Sequence, residues 1–306
     1  MNRCSSMNHH EVPGRQIPRL APKWVAAPGR RYVVLTVFLL TTLLAACQAS
    51  AEGPTSPPAS RTGAPASTAR SAVHVITGNC NPFDHPCPLS GGTYRLAPLT
   101  VLPGLEMTVP SGWSGTELGW TAHESDPGEL ALQPPGQSNL TLAFWLDMVA
   151  TKSTGHRHGT ILKNIGRTPS ALVSWLTSNP DFLVVSKPAP ATIGHGITMT
   201  SLVVGVSRSA NYGDRGCPAN PRCADLFTNS FWAKNGNGGY GIGGNEEVRL
   251  YLSRIKISGR AHTFLIALDA NNQAGLLRLE RAATPILGSL RLPTGVSSTG
   301  TPSSSS

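Results

Sequence analysis

Apolar and polar positions alternate along much of the chain. In "LEMTVPSGW", Leu105, Met107 and Val109 are separated by polar residues, which predicts a strand with one buried face. Pro110-Ser111-Gly112 ends it in a turn. Leu130 and Leu132 alternate in "ELALQ", and "LTLAFWLDMV" (140–149) is a longer strand with Leu140, Leu142, Phe144 and Leu146 on one face. "ITMTSLVVGVS" (197–207) is another. "VRLYLSRIKI" and "AHTFLIALD" are joined by Ser258-Gly259-Arg260, a hairpin signal. The apolar phase of the first slips between Leu252 and Ile255, which a bulge or a change of neighbouring face explains.

Two segments have helical spacing instead. In "RTPSALVSWLTSNP", Thr168 is a cap and Pro169 fits the first helical position; Leu172, Trp175 and Leu176 share a face, and Pro180 follows the end. In "NNQAGLLRLERAATPILGSLRL", Leu276, Leu279, Ala283, Ile286, Leu287 and Leu290 keep the period, and Pro285 should kink the helix or start a second turn. Strands interspersed with two helices predict an α+β domain, an antiparallel sheet with helices packed on it.

The chain before this domain has a different pattern. Residues 32–46 form an apolar run preceded by Arg30 and Arg31. The run is shorter than the roughly 20 residues that span a bilayer as a helix, and it suits the apolar core of an export signal. It ends Leu44-Ala45-Ala46-Cys47, which resembles a bacterial lipobox. That resemblance implies a diacylglycerol on Cys47 and cleavage just before it. The competing reading is an uncleaved signal anchor with an incidental cysteine. The leader, 1–29, is long and rich in Pro and Arg; Met7 is an alternative start, and His9-His10 lies in this segment and is not read as a metal site.

Residues 48–70 carry almost no large apolar side chain and cannot bury enough surface to offset ordering. The expected organisation is therefore a signal with its leader over 1–46, a lipid-anchored disordered tether over 47–71, one globular domain over 72–293 and a disordered tail over 294–306.

The chain carries 25 Lys+Arg against 16 Asp+Glu, formally +9. Six of the basic residues and one acidic residue lie in the first 46, so the remainder has 19 and 15, or +4. The basicity belongs largely to the export signal, and no Lys/Arg cluster marks a nucleic-acid surface. Only 13% of residues are charged, while Gly (32) and Pro (26) are abundant, which favours a turn-rich β domain over a helical bundle.

Cys4 and Cys47 belong to the leader and anchor. Cys80 and Cys87 ("CNPFDHPC") and Cys217 and Cys223 ("CPANPRC") form two local pairs. Outside the cytoplasm such pairs oxidise, so disulfides 80–87 and 217–223 are expected among three connectivities. Zinc ligation fits worse, because the spacings differ from the usual C-x₂₋₄-C pairs.

The succession "TVPSGW", "TPSALVSWL", the late hairpin and a final helix ending "ILGSLRL" resembles a group of actinobacterial envelope lipoproteins whose domains are similar to the PsbP-like α/β sandwich. The resemblance spans most of 94–293 and excludes the cysteine loops and the Gly-rich insertion. It implies a fold and an accessory binding role more than an activity.

Candidate chemistry is sparse. "GNGGYGIGG" holds Gly236, Gly238 and Gly241 in a G-x-G-x-x-G spacing, but a strand pattern follows it where a dinucleotide site needs a helix. It reads as a hairpin or loop with Tyr240 exposed, a candidate binding lip. In "GHRHG", His156 and His158 share a side of an extended segment, but no spacing selects a third ligand. His195, His262, Asp147 and Asp269 supply the parts of a Ser-His-Asp triad without a Gly-x-Ser-x-Gly elbow. Glu246 and Glu247 point to opposite faces of a strand, unsuited to acting as a pair. Trp113, Trp120, Trp145, Trp175 and Trp232 are read as core or sheet-edge residues.

No catalytic residue, metal or cofactor is assigned. The expectation is a non-catalytic, lipid-anchored protein on the extracytoplasmic face of the cell membrane, which binds an envelope protein or a small apolar ligand. The alternatives are an extracytoplasmic hydrolase with a dispersed site and a structural wall-associated protein.

Overall fold

The computed structural model describes residues 73–76, 87–96, 102–117, 129–154, 157–210, 222–229, 233 and 239–299, all within one compact unit. The fold is α+β, as the alternation predicts. Its centre is a large sheet built on two long strands, β14 (Glu247–Ile257) and β15 (Arg260–Ala270). They are joined by Ser258 and Gly259, both at positive φ (49° and 80°). Two left-handed residues make the tight hairpin turn that matches the twist of paired strands. The register between β14 and β15 is unbroken from Glu247↔Ala270 to Ile257↔Arg260. The phase slip therefore reflects a change of covering layer and no bulge. Val248, Leu250 and Leu252 face one core, and Ile255 faces the other.

Beyond β15 lie β7 (Leu140–Leu146), β6 (Glu129–Gln133), β5 (Ser114–Glu117) and β2 (Cys87–Pro88). Beyond β14 lie β11 (Ile197–Val206) and the edge strand β10 (Phe182–Ile193). β10 carries Pro188 and Pro190, which read as breakers in sequence. An edge strand tolerates them, because one side of its backbone needs no ladder donor. β16 (Ser297–Thr299) pairs with the end of β14, so the expected disordered tail contributes a strand at its start.

Both faces of the centre of this sheet are buried. Phe264, Ile266 and Leu268 face a core shared with helix α2 (Gln273–Ser289) and a small sheet of β1 (Val73–Ile76), β3 (Gly92–Leu96) and β4 (Glu106–Val109). Leu265 and Ala267 face a second core. Helix α1 (Pro169–Ser178) and a sheet of β13 (Tyr240–Gly243), β12 (Cys223–Thr228), β8 (Val149–Thr154) and β9 (Arg157–Ile161) cover that side. A strand buried on both faces is apolar at consecutive positions, which is why "TFLIAL" shows little alternation.

The helix signals hold in detail. Thr168 accepts a hydrogen bond from the Ala171 N–H (3.3 Å), Pro169 opens α1, and Leu172, Trp175 and Leu176 are buried. Asn272 caps α2 by accepting from the Gly275 N–H (2.8 Å). The chain stays helical through Pro285, on the exposed side, so the expected second turn is part of one helix.

The disulfide expectation is corrected for the described residues. No two described cysteine sulfurs lie at bonding distance. Cys80 and Cys217 lie outside the described residues. Cys87 and Cys223 are not free thiols, but because their expected partners are undescribed, the pairings 80–87 and 217–223 are withdrawn as features of this structure.

Candidate functional site

The turn between β10 and β11 is Gly194-His195-Gly196. Gly194 and Gly196 lie at φ 52° and 83°, a left-handed backbone that glycine adopts without steric cost. The turn is docked on the end of α2, where the His195 N–H donates to the Leu290 carbonyl (2.9 Å). The next residue, Arg291, is fixed from the other side by paired backbone bonds with Glu106 (2.9 and 3.0 Å). These contacts bring together two side chains 96 positions apart, and the Arg291 Nε–H donates to His195 Nε2 at 2.9 Å. A guanidinium only donates, so His195 Nε2 accepts and the ring proton sits on Nδ1.

The pair lies in an open cleft of about 480 Å³, with Ile197, Leu292 and Val296 as its apolar wall and Ser298 as a further hydroxyl. Ser298 reaches the cleft because β16 pairs it with Ile255. No carboxylate pairs with Arg291 among the described residues. The nearby Glu106 is engaged by Arg95 through both Nε (2.8 Å) and Nη2.

A second constellation lies where β7 ends. Asp147 holds φ 55°, unusual for a non-glycine residue. Its Oδ1 accepts from the Thr263 N–H (2.9 Å) and its Oδ2 lies 2.6 Å from His262 Nδ1. The fold thus pairs His262 with Asp147, and not with Asp269, which is buried on β15. This is the way a carboxylate orients an imidazole in acyl-transfer sites. Here the same carboxylate also holds the junction of β7, β8 and β15.

A third cluster lies beneath α2. Arg249 donates to Glu280 Oε1 (2.6 Å) and to Ser201 Oγ (3.3 Å). Burial, and then the Glu280 charge, hold the Glu247 carboxyl above its ordinary value of 4.5. Burial also raises the Tyr251 hydroxyl, against the lowering effect of Arg249. Glu246 sits in the turn and accepts from the Gly243 N–H (2.6 Å).

Of the residues read from the Gly-rich segment, Gly236 and Gly238 lie outside the described residues. Tyr240 and Gly241 belong to β13. The expectation of an exposed Tyr240 is corrected: its ring packs on Trp145 (centroids 4.9 Å apart) and its hydroxyl is buried. The paired strand β12 and the apolar face of Trp145 explain this, and neither is local to the glycines. Cys47, Trp120, His156 and Trp232 also lie outside the described residues. Trp113, Trp145 and Trp175 are core residues. Among the described residues, no helix is long and apolar enough to cross a membrane, and no group of three or more His, Cys, Asp or Glu is placed to hold a metal ion.

Sequence reasoning named His195 but missed Arg291. The one available signal was a Gly-His-Gly turn, and nothing in the sequence places it against the end of the last helix.

No protein-family model matches the chain, and no curated protein does. Among solved structures it is similar to LpqN, involved in cell envelope biogenesis of Mycobacterium tuberculosis, at 15% identity and a TM-score of 0.31, over 70% of this chain and 91% of that one.

Proposed function

We propose that this protein is an envelope lipoprotein, held by a lipid on Cys47 at the extracytoplasmic face of the membrane, whose α+β domain binds a ligand or partner and does not turn it over. The observation that carries the proposal is the sub-spanning apolar run ending Leu44-Ala45-Ala46-Cys47, followed at once by a segment with almost no large apolar side chain. An anchor followed by a tether serves to present a domain away from the bilayer. The open cleft at His195 and Arg291 supports a binding role, since its groups are hydrogen-bond donors beside an apolar wall.

Labelled palmitate fed to expressing cells should enter the wild-type chain, and Cys47→Ser should lack the label and keep the unprocessed mass. A Cys47→Ser chain that is membrane-bound at the mature mass refutes the anchor. The His262–Asp147 pair favours a second reading, an extracytoplasmic hydrolase. Ester, glycan and peptide substrates distinguish the two: binding alone predicts no turnover, and hydrolysis abolished by His262→Gln establishes the enzyme.

A further inference from the structure

We propose that the cleft between the β10–β11 turn and the segment after α2 is an oxyanion site, which takes a phosphate or carboxylate carried on a small apolar body. This deepens the binding role proposed above and rests on it.

Arg291 is the charged member of the cleft. Its guanidinium is permanently charged and carries five N–H donors, yet its partner among the described residues is a neutral imidazole nitrogen at 2.9 Å. The carboxylate within reach of its backbone, Glu106, is already bridged by Arg95. Among the described residues, two arginines and one glutamate give this corner a net positive charge. Since Nε is committed to His195, the two Nη groups are left for a ligand. A pair of Nη donors side by side matches the two oxygens of a carboxylate or phosphate.

The imidazole adds to this. Accepting from Arg291 at Nε2 fixes the tautomer that carries hydrogen on Nδ1, so His195 offers a donor of its own. Ser298 supplies a hydroxyl, and among the described residues no acidic side chain lines the cleft. The lining also holds hydrocarbon, from the half-buried Leu292 and Val296 and the buried Ile197. Donors and hydrocarbon in one lining fit an anionic head with a short hydrocarbon body, and fit a free cation or a sugar less well.

The site is also held in place. Leu290 O anchors the turn, and Glu106 anchors Arg291 through two backbone bonds, so the donors are positioned before a ligand arrives. The bland alternative is that Arg291 is a helix-end counter-charge, favoured just past the C-terminus of α2 by the partial negative charge there.

Phosphorus NMR on the full-length chain in phosphatidylcholine nanodiscs tests the assignment, with butyl phosphate and inorganic phosphate as probes and butanol as competitor. Butyl phosphate should shift saturably and bind more tightly than inorganic phosphate. Arg291→Ala should weaken both at least tenfold, in line with loss of a charge-assisted bond. Val296→Ser should weaken butyl phosphate alone. His195→Ala should weaken both to a lesser degree, and this result decides the matter if Arg291→Ala fails to fold. Wild-type affinity in either the Arg291 or the His195 variant would overturn the site, as would butanol competing as well as inorganic phosphate. An Arg291→Ala chain that is less stable but binds unchanged would establish the counter-charge. Release of inorganic phosphate from butyl phosphate would refute the non-catalytic reading while leaving the anion site standing.

Discussion

Gly194→Ala tests how the β10–β11 turn is held, with Gly196→Ala as its internal control. Both glycines lie at positive φ, where an L-residue costs about 1–2 kcal/mol. Roughly 0.4–1 kcal/mol of that is offset, because alanine also restricts the unfolded chain. Space separates the two positions. A Cβ on residue 196 meets nothing within 4 Å, whereas one on residue 194 would lie 2.2 Å from the Leu290 carbonyl oxygen and 2.8 Å from the Leu290 Cβ. The oxygen is backbone at the end of α2 and cannot swing aside as a flexible side chain does. The turn must therefore lift, and the 2.9 Å bond from the His195 N–H to that same oxygen goes with it, at about 1 kcal/mol. Gly196→Ala is expected to cost about 0.5–1 kcal/mol and Gly194→Ala about 2 kcal/mol. Urea unfolding followed by tryptophan fluorescence measures both, provided the slopes match that of the wild type. Buried Trp145 and Trp175 report on the transition. Equal costs for the two variants would show that the turn does not rest on the helix end.

Two further outcomes concern the other clusters. The folded state holds the Glu247 proton more tightly than the unfolded chain does, so the associated stability is present below 4.5 and is lost as pH rises through the raised folded value. Glu247→Gln should accordingly raise Tm near about pH 7 and leave it unchanged near about pH 3, whereas a more stable wild type at neutral pH would contradict the burial and Glu280 repulsion inferred for this carboxyl. Asp147→Ala removes the acceptor for both the Thr263 N–H and His262 Nδ1 while keeping the left-handed backbone, and should cost about 2–3 kcal/mol. Asp147→Asn, which tolerates that backbone and retains an oxygen for Thr263, should cost about 1 kcal/mol. Similar losses in the two, measured by the same unfolding assay, would assign the effect to the carboxylate charge instead.

Local periodicity was enough for the α+β class, for both helices and the Thr168 cap, and for the strands around Leu105, Leu140, Ile197 and Val248. Each of these signals is read within a few residues: a cap three positions from its donor, or alternation along one strand. The signal-like segment and the candidate anchor are likewise local readings, an apolar run and the order Leu44-Ala45-Ala46-Cys47, and both lie outside the described residues. The sequence did not reveal β10, whose Pro188 and Pro190 fit a strand only at a sheet edge. It misread Tyr240, because the ring that covers it, Trp145, is far away in sequence and comes from another sheet. The phase slip in β14 was legible, but only the layers on either side of the sheet decided between a bulge and a change of face. The cleft depends most on the tertiary structure. His195 and Arg291 are 96 residues apart and meet because Gly194 lets one backbone touch another at Leu290. A contact between two segments is fixed by the packing of everything between them, and no local pattern in either segment encodes it.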